Sequence, residues 1–286
     1  VELAVRLDAE IVNADSMQVF RGFDIGTAKP SSQEMRGVPH HLFDIVKADD
    51  SFDASCFIEV ADAAIDDIAS RGKRVLVVGG TGLYIRVLLH GLQAGPPPDP
   101  LLRQRLLARA AAEGRESLHK SLAELDPETA RRLHPNDIVR VVRALETAMT
   151  SGTTITKWQQ SHGFKENRYD YLLLGLSRPR AELHATIEKR VEAMMAAGFL
   201  DEVRNLLDRG VDPSQKPMQA LGYKRLVQFL KGELSLNDAV IQIKTDTRRF
   251  AKRQETWFKK EPGLQWVEPN ADFIESLCRT FWVPKL

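Results

Sequence analysis

The stretch Glu10-Ile11-Val12-Asn13-Ala14-Asp15-Ser16-Met17-Gln18-Val19-Phe20-Arg21-Gly22-Phe23-Asp24-Ile25-Gly26-Thr27-Ala28-Lys29-Pro30 decides the reading of the fold. It opens as a short apolar strand through Ile11, Val12 and Ala14, then turns abruptly polar. In an open α/β sheet a buried parallel strand hands over to an active-site loop in this way, and ligands gather beyond the strands' carboxyl ends. Asp15 is the first residue past the apolar run. A carboxylate there is placed to take a proton or hold a metal rather than to fill a core. An Asx turn or a helix N-cap accounts for the same aspartate equally well, and the spacing leaves both readings open.

The flanking sequence carries the same alternation. Upstream, Val1–Leu7 reads as the tail of a helix, with Leu3, Val5 and Leu7 beside polar Glu2 and Arg6. Downstream, adjacent His40 and His41 on an extended segment point to opposite sides, so a two-histidine metal site is not expected. Ser51–Ser70 sets Phe52, Phe57, Ala61, Ala64, Ile65 and Ile68 near helical spacing and stops at Arg71-Gly72. Val75–Val78 fits a buried parallel strand. It runs into Gly79-Gly80-Thr81-Gly82 and a predicted helix over Tyr84–Leu89. Glycines at such a turn let a ligand approach the backbone, and the helix N-terminus favours an anion. A packing turn explains them as well; Asp15 at the end of another strand strengthens the case for a site.

The sharpest boundary is Gly95-Pro96-Pro97-Pro98-Asp99-Pro100. Beyond it Leu101–Thr150 is helical in pattern, a second break falls near Ser161-His162-Gly163, and Tyr171–Leu176 returns to a buried-strand pattern. A helical block interrupting strand–helix alternation reads as a subdomain inserted into a mostly parallel sheet. The expected division is a core of residues 1–98 and 165–286 with a helical insertion of residues 99–164. Leu183–Arg209 is predicted as one long helix with Leu183, Ile187, Val191, Met194, Met195, Phe199, Val203 and Leu206 on one face. Arg190 is placed with that apolar face, where a guanidinium needs an anion, either an internal partner or a ligand. The last predicted helix, Leu236–Lys259, runs Leu236, Val240, Ile243, Thr247, Phe250 and Trp257 along one side. Lys244, Arg248 and Lys252 follow the other, with Arg249 and Arg253 beside them. Such a face is usually only solvated; with few acids near it (Asp246, Glu255) it becomes a candidate for phosphate-backbone contact.

At 286 residues and 43% hydrophobic, the chain can bury a core for one large domain or two. Its net charge of +1 supplies no global attraction to nucleic acid, so such contact must come from a local patch. Cys56 and Cys278, the two cysteines, cannot build a disulfide framework or a zinc site and fit a reducing cytosol. No apolar run approaches membrane-spanning length and no signal peptide opens the chain, so a cytoplasmic protein without a membrane partner is expected. The phosphate-loop pattern G-x-x-x-x-G-K-[ST] does not occur.

Ala14–Pro30 is followed in order by Val38-Pro39-His40-His41-Leu42, Val78–Tyr84, His134-Pro135-Asn136-Asp137, Arg140–Glu146, Leu221-Gly222-Tyr223 and Thr247–Trp257. In these motifs, over nearly its whole length, the chain resembles the bacterial tRNA dimethylallyltransferase (tRNA isopentenyltransferase) family. Phe20 stands where that family more often has tyrosine. The resemblance implies a P-loop NTPase-like, mostly parallel sheet flanked by helices, with the helical insertion clasping a tRNA anticodon stem-loop. It implies transfer of a dimethylallyl group from dimethylallyl diphosphate to the N6 amine of the adenosine beside the anticodon, releasing diphosphate. Asp15 would be the general base and a candidate Mg2+ ligand. Arg190, Thr81 and Mg2+ would stabilise the diphosphate.

On the same ground tRNA contacts are expected from Asp15, Ser16, Met17, Gln18 and Thr81. Others are expected from Gln219, Ala220, Leu221, Gly222, Tyr223 and Lys224, and from Arg248, Lys252 and Arg253. The insertion would add Arg103, Val139, Arg140, Val141, Val142 and Arg143. The family's phosphate loop lies just before its first helix, so the chain is expected to start just after it, with that helix about one turn short before Asp8. Thr186 occupies a position that is often basic in the family. A monomer is expected.

The chemistry suits these residues. An adenine amine is a weak nucleophile, and a base bonded to it helps as the new bond forms. Cations and amides can stabilise the departing diphosphate, and the base must be unstacked from its loop to react. A P-loop small-molecule kinase and an RNA-binding fragment without catalysis are the alternatives. Prenylation of free adenine nucleotides is disfavoured by the insertion and by Thr247–Trp257.

Overall fold

The computed structural model describes residues 1–92, 96, 97, 99–162 and 167–282. The chain divides into two units, Val1–Leu89 with Arg168–Leu286, and His90–Asn167. Gly95, Pro98 and Gly163, on which predicted boundaries fall, lie outside the described residues, as does the expected division at residues 164 and 165.

In the first unit helix α1 (Glu2–Leu7) passes through left-handed Asp8 (φ 49°) directly into strand β1 (Ala9–Asn13), whose five residues are all buried. After the short helix α2 (Ser32–Met35) comes strand β2 (His40–His41). Helix α3 (Ala54–Ser70) begins where Asp53 accepts the N–H groups of Ser55 (2.8 Å) and Cys56 (3.1 Å), which is why it starts inside the predicted Ser51. Strand β3 (Arg74–Val78) and helix α4 (Gly82–His90) follow. The sheet is parallel in the order β2-β1-β3, with Ile11 opposite His40 on one side and Leu76 on the other. β1 is thus a central strand covered on both faces, which fits its apolar residues Ala9, Ile11 and Val12.

One buried carboxylate interrupts it. Glu10 accepts hydrogen bonds from both terminal nitrogens of Arg71, with Nη2 to Oε2 at 2.9 Å, and its Oε2 lies 2.7 Å from His41 Nε2. The Arg71 bonds outweigh the cost of burial and, with His41, hold the carboxyl down at about 2. His41 therefore belongs to an ion cluster, while His40 Nδ1 lies 2.7 Å from the Val38 carbonyl.

The second unit has helices and no strand among its described residues: α5 (Pro100–Glu113), α6 (Arg115–Leu125), α7 (Pro127–Arg132), α8 (Ile138–Ser151) and α9 (Ile155–His162). Its own core contains Leu102, Leu106, Leu118, Leu122, Val141 and Leu145. Buried Asp126 caps α7 through the Thr129 N–H (3.1 Å) and holds the start of α9 through the Thr156 hydroxyl (2.7 Å).

The first unit resumes with strand β4 (Leu174–Leu176), helices α10 (Arg180–Ala196), α11 (Phe199–Asp208), α12 (Tyr223–Leu230) and α13 (Leu236–Phe258), strand β5 (Gln265–Val267) and helix α14 (Ala271–Trp282). Three expectations change here. The buried strand predicted over Tyr171–Leu176 is only β4; it pairs in parallel with β5 rather than with β1, and Leu176 is exposed. β3 pairs on one side only, so its side chains are half-buried and Val78 is exposed. The long helix predicted over Leu183–Arg209 is two, because Gly198 adopts φ 97° between them. Ile187 and Val191 carry the buried stripe of α10, and Phe199, Val203 and Leu206 that of α11. The apolar period runs through the break, so hydrophobicity alone could not reveal it.

The first unit's main core joins Val12, Phe20 and Phe23 to Phe57, Tyr84, Phe199, Tyr223 and Ile243. Cys56 and Cys278 are free thiols. No helix of the described residues is long and apolar enough to cross a membrane.

Candidate active site

The end of β1 and the turn after β3 are bound together. Ala14 N–H donates to the Val78 carbonyl (2.8 Å), Thr81 N–H to the Ala14 carbonyl (3.3 Å), and Ser16 N–H to Thr81 Oγ1 (3.0 Å). Asn13 clamps Asp15, two residues on. Its Oδ1 accepts the Asp15 N–H (3.0 Å), and its Nδ2 donates to the carbonyls of Leu42 (3.2 Å) and Asp15 (3.4 Å).

Asp15 itself is half-buried. Its Oδ1 accepts the N–H groups of Met17 (2.8 Å) and Gln18 (3.3 Å), which is an Asx turn. Its Oδ2 has no hydrogen-bond partner among the described residues. The two readings left open by the sequence therefore coexist: one oxygen makes the turn and the other is free for chemistry.

The glycine turn resolves differently. A Cβ on Gly79 would stand 2.3 Å from the Ala14 carbonyl carbon and oxygen, one on Gly80 would stand 2.1 Å from Gln254 Nε2, and one on Gly82 2.2 Å from the Trp257 ring. Gln254 Nε2 also donates to the Gly80 carbonyl at 2.9 Å. These glycines admit protein rather than ligand, and they seat the end of α13 against the site. Trp257 lies beneath the Arg86 guanidinium, 4.5 Å from it, and Arg86 Nε donates to buried Glu261 at 2.6 Å.

The second half of the opening stretch is scaffold. Gln18 Nε2 donates to the carbonyls of Thr27 (2.9 Å) and Ala28 (3.1 Å), so its donor end is spent within the loop. Lys29 is buried, with Nζ bonded to the Phe20 carbonyl (2.5 Å), Asp24 (2.8 Å) and Asp44 (2.5 Å). Sequence reading missed Glu202. This side chain accepts the N–H groups of Asp24, Ile25 and Gly26 and the hydroxyl of Tyr223. The signal was the acidic pair Asp201-Glu202 just after Gly198, hidden by the assumption of one continuous helix.

Several predicted site residues sit elsewhere than expected. Arg190 does not share the apolar face: it is exposed and has no ion pair among the described residues. The buried stripe of α10 is narrow enough that a residue adjacent to Val191 already faces water. The basic face of α13 is less naked than its own sequence suggests, because α10 supplies acids. Lys244 pairs with Glu192 (2.6 Å) and Arg248 with Glu188 (2.7 Å), leaving Lys252 and Arg253 exposed without ion pairs among the described residues.

Tyr223 and Gly222 are buried, Ala220 and Leu221 half-buried, and only Gln219 and Lys224 of that motif are exposed. In the second unit Val141 and Val142 are core residues, so their side chains cannot meet RNA; Val139 is 76% exposed and Arg140 is open apart from Asp137 at 3.2 Å. Arg103 and Arg143 both grip buried Glu146, at 2.8 and 2.9 Å. Burial alone would raise that carboxyl; the two guanidiniums and the Asp99 N–H bring it below its ordinary value.

Comparison with known proteins places the chain. The profile of the family described as IPP transferase matches residues 18–261. The tRNA dimethylallyltransferase 2 of Geotalea daltonii is 54% identical over 278 residues, which cover 97% of this chain and 85% of that protein. The tRNA dimethylallyltransferase 1 of Trichlorobacter lovleyi is 48% identical, covering 99% and 93%. Among solved structures, the full-length tRNA isopentenylpyrophosphate transferase of Bacillus halodurans gives a TM-score of 0.71 at 36% identity, covering 98% of this chain and 90% of that one. A eukaryotic dimethylallyltransferase acting on tRNA gives 0.76 at 28% identity, covering 98% and 73%. With most of its length matched by the profile and about half its residues shared with these relatives, the chain belongs to the IPP transferase family.

Proposed function

We propose that this protein is a tRNA dimethylallyltransferase that uses the free oxygen of Asp15 as its general base. The reaction joins the N6 nitrogen of the adenosine beside the anticodon to the first carbon of the dimethylallyl group. The bond from that carbon to the bridging oxygen breaks, diphosphate leaves with the electron pair, and the amine's proton passes to Asp15 Oδ2. The observation that carries this reading is the divided role of Asp15, fixed by Oδ1 and without a hydrogen-bond partner at Oδ2 among the described residues. A fixed acceptor is what a delocalised amine lone pair requires as the bond forms.

Arg190, an exposed cation without an internal partner among the described residues, is assigned to the diphosphate. Among the described residues no three His, Cys, Asp or Glu side chains converge to hold a metal. That fits Mg2+ carried by substrate phosphates and water, since Asp15, the candidate ligand from the sequence, has only Oδ2 open and that oxygen is assigned to the amine's proton. When bound, Mg2+ would offset the charge developing on diphosphate.

For tRNA, the first unit offers Lys252, Arg253, Gln219 and Lys224 in exposed positions, and the second offers Arg140 and Val139. These are local patches, as a chain of net charge +1 requires. We take the protein to be a cytoplasmic monomer.

The native protein, given labelled dimethylallyl diphosphate and unmodified tRNA, is expected to move the label into tRNA and release diphosphate in equal amount. Transfer of the γ-phosphate of labelled ATP to a small acceptor would instead mark a kinase. Salt-dependent tRNA binding without label transfer would mark a binding protein. Either result overturns the proposal.

A further inference from the structure

We infer that Glu202 is a positioning residue for the reaction, fixing through its hydrogen bonds the loop that aims Asp15. The inference rests on the assignment of Asp15 as the base. Glu202 Oε2 accepts the N–H groups of Asp24 (3.0 Å) and Ile25 (2.7 Å), while Oε1 accepts the N–H of Gly26 (3.1 Å) and the Tyr223 hydroxyl (2.6 Å). Consecutive backbone N–H groups that converge in this way form an anion-binding concavity, and here the anion is the protein's own carboxylate. The loop lies flush on its support, since a Cβ on Gly26 would stand 2.1 Å from the Phe199 ring and 2.6 Å from that of Tyr223. Burial, and then the neighbouring charge of Glu202, push the Tyr223 hydroxyl well above its ordinary value, so it remains a donor.

A bonded path leads from this anchor to the reacting carboxylate. The anchored loop continues into Thr27 and Ala28, whose carbonyls accept Gln18 Nε2 (2.9 and 3.1 Å). Gln18 in turn gives its backbone N–H to Asp15 Oδ1 (3.3 Å). Fixing Oδ1 decides where Oδ2 points. Four donors on one carboxylate also exceed what a glutamine could replace: its single carbonyl oxygen accepts, but its NH2 would face N–H groups.

The alternative is that Glu202 only holds the fold together. The two roles separate in a double-mutant cycle of single-turnover transfer rates, measured per folded enzyme below the melting temperature, in wild type, Glu202→Gln, Asp15→Asn and the double variant. Positioning predicts that Glu202→Gln lowers kcat about 10- to 100-fold, as misplacement by an ångström does, with KM for dimethylallyl diphosphate unchanged. It also predicts that the double variant is no slower than Asp15→Asn alone. Equal losses in both backgrounds, or an unchanged kcat per folded molecule, would overturn it. Wild-type turnover in Asp15→Asn would instead remove the base assignment, a different and recognisable failure.

Gln18→Met cuts the same path in the middle. It serves if Glu202→Gln does not fold or if Asp15→Asn has no measurable rate. Combined with Asp15→Asn, or with Glu202→Gln where that variant folds, it must add no further loss of kcat. If Asp15→Asn has no measurable rate and Glu202→Gln does not fold, Gln18→Met alone decides: it must lower kcat about 10-fold or more with KM for dimethylallyl diphosphate unchanged, and an unchanged kcat overturns the inference.

Discussion

Asp15→Asn is expected to slow prenyl transfer about 10²- to 10⁴-fold, the usual contribution of a general base, while tRNA affinity stays near wild type. Asparagine keeps an Oδ1 that accepts the Met17 and Gln18 N–H groups, so the turn after β1 survives. What changes is the other atom. A lone-pair-bearing oxygen becomes an NH2 that can only donate, and it would face an amine that also donates. Single-turnover transfer and direct tRNA binding, measured together, check this. Asp15→Ala removes the turn acceptor as well, so it should lose thermal stability where asparagine does not. Wild-type turnover in Asp15→Asn would mean that the proton leaves by another route.

Gly79→Ala is expected to destabilise the protein by about 3 kcal/mol, the upper end of ordinary overpacking, and to abolish most of its activity. The added Cβ would meet the Ala14 carbonyl carbon and oxygen at 2.3 Å and its Cα at 2.8 Å. These are backbone atoms of the strand end that carries the site, so β1 and β3 must part there. That separation strains the Ala14–Val78 bond and the Ser16–Thr81 bond beside Asp15. Gly80→Ala supplies the comparison, because its Cβ meets the far end of the Gln254 side chain, which can swing away. Denaturant unfolding should show the Gly79 variant clearly weaker than the Gly80 variant. Equal costs would show that the turn yields without disturbing β1.

How much of this was legible in the sequence depends on whether the controlling interaction is local. The passage from β1 into Asp15 could be read because an apolar run followed by polar residues reports burial and its end within a few positions. The helical character of the second unit was legible for the same reason: its helical pattern over Leu101–Thr150 repeats within a few positions, and the caps the structure adds, such as Asp99 and Asp137, are equally local. Partnerships between distant segments were not. Nothing near Lys244 or Arg248 announces that Glu192 and Glu188, on another helix, will meet them. Val141 and Val142 share a motif with exposed Arg140, and only the packed unit shows that their side chains point into the core. For Gly80 and Gly82 the sequence left a ligand turn and a packing turn both open, and Gln254 and Trp257, more than 170 residues away in sequence, decide for packing. Arg190 was misjudged through a finer effect, since a residue three past Ile187 and one before Val191 falls on the margin of a narrow stripe. A sequence period fixes that margin only to within a residue.

The most direct test of the account is a structure of the native protein with an anticodon stem-loop and an unreactive analogue of dimethylallyl diphosphate. The exocyclic amine of the extruded adenosine should lie about 2.6–3.2 Å from Asp15 Oδ2, the reach a general base needs, with Oδ1 still holding the turn. An amine whose nearest acceptor belongs to another residue, with Oδ2 directed away from it, would contradict the assignment.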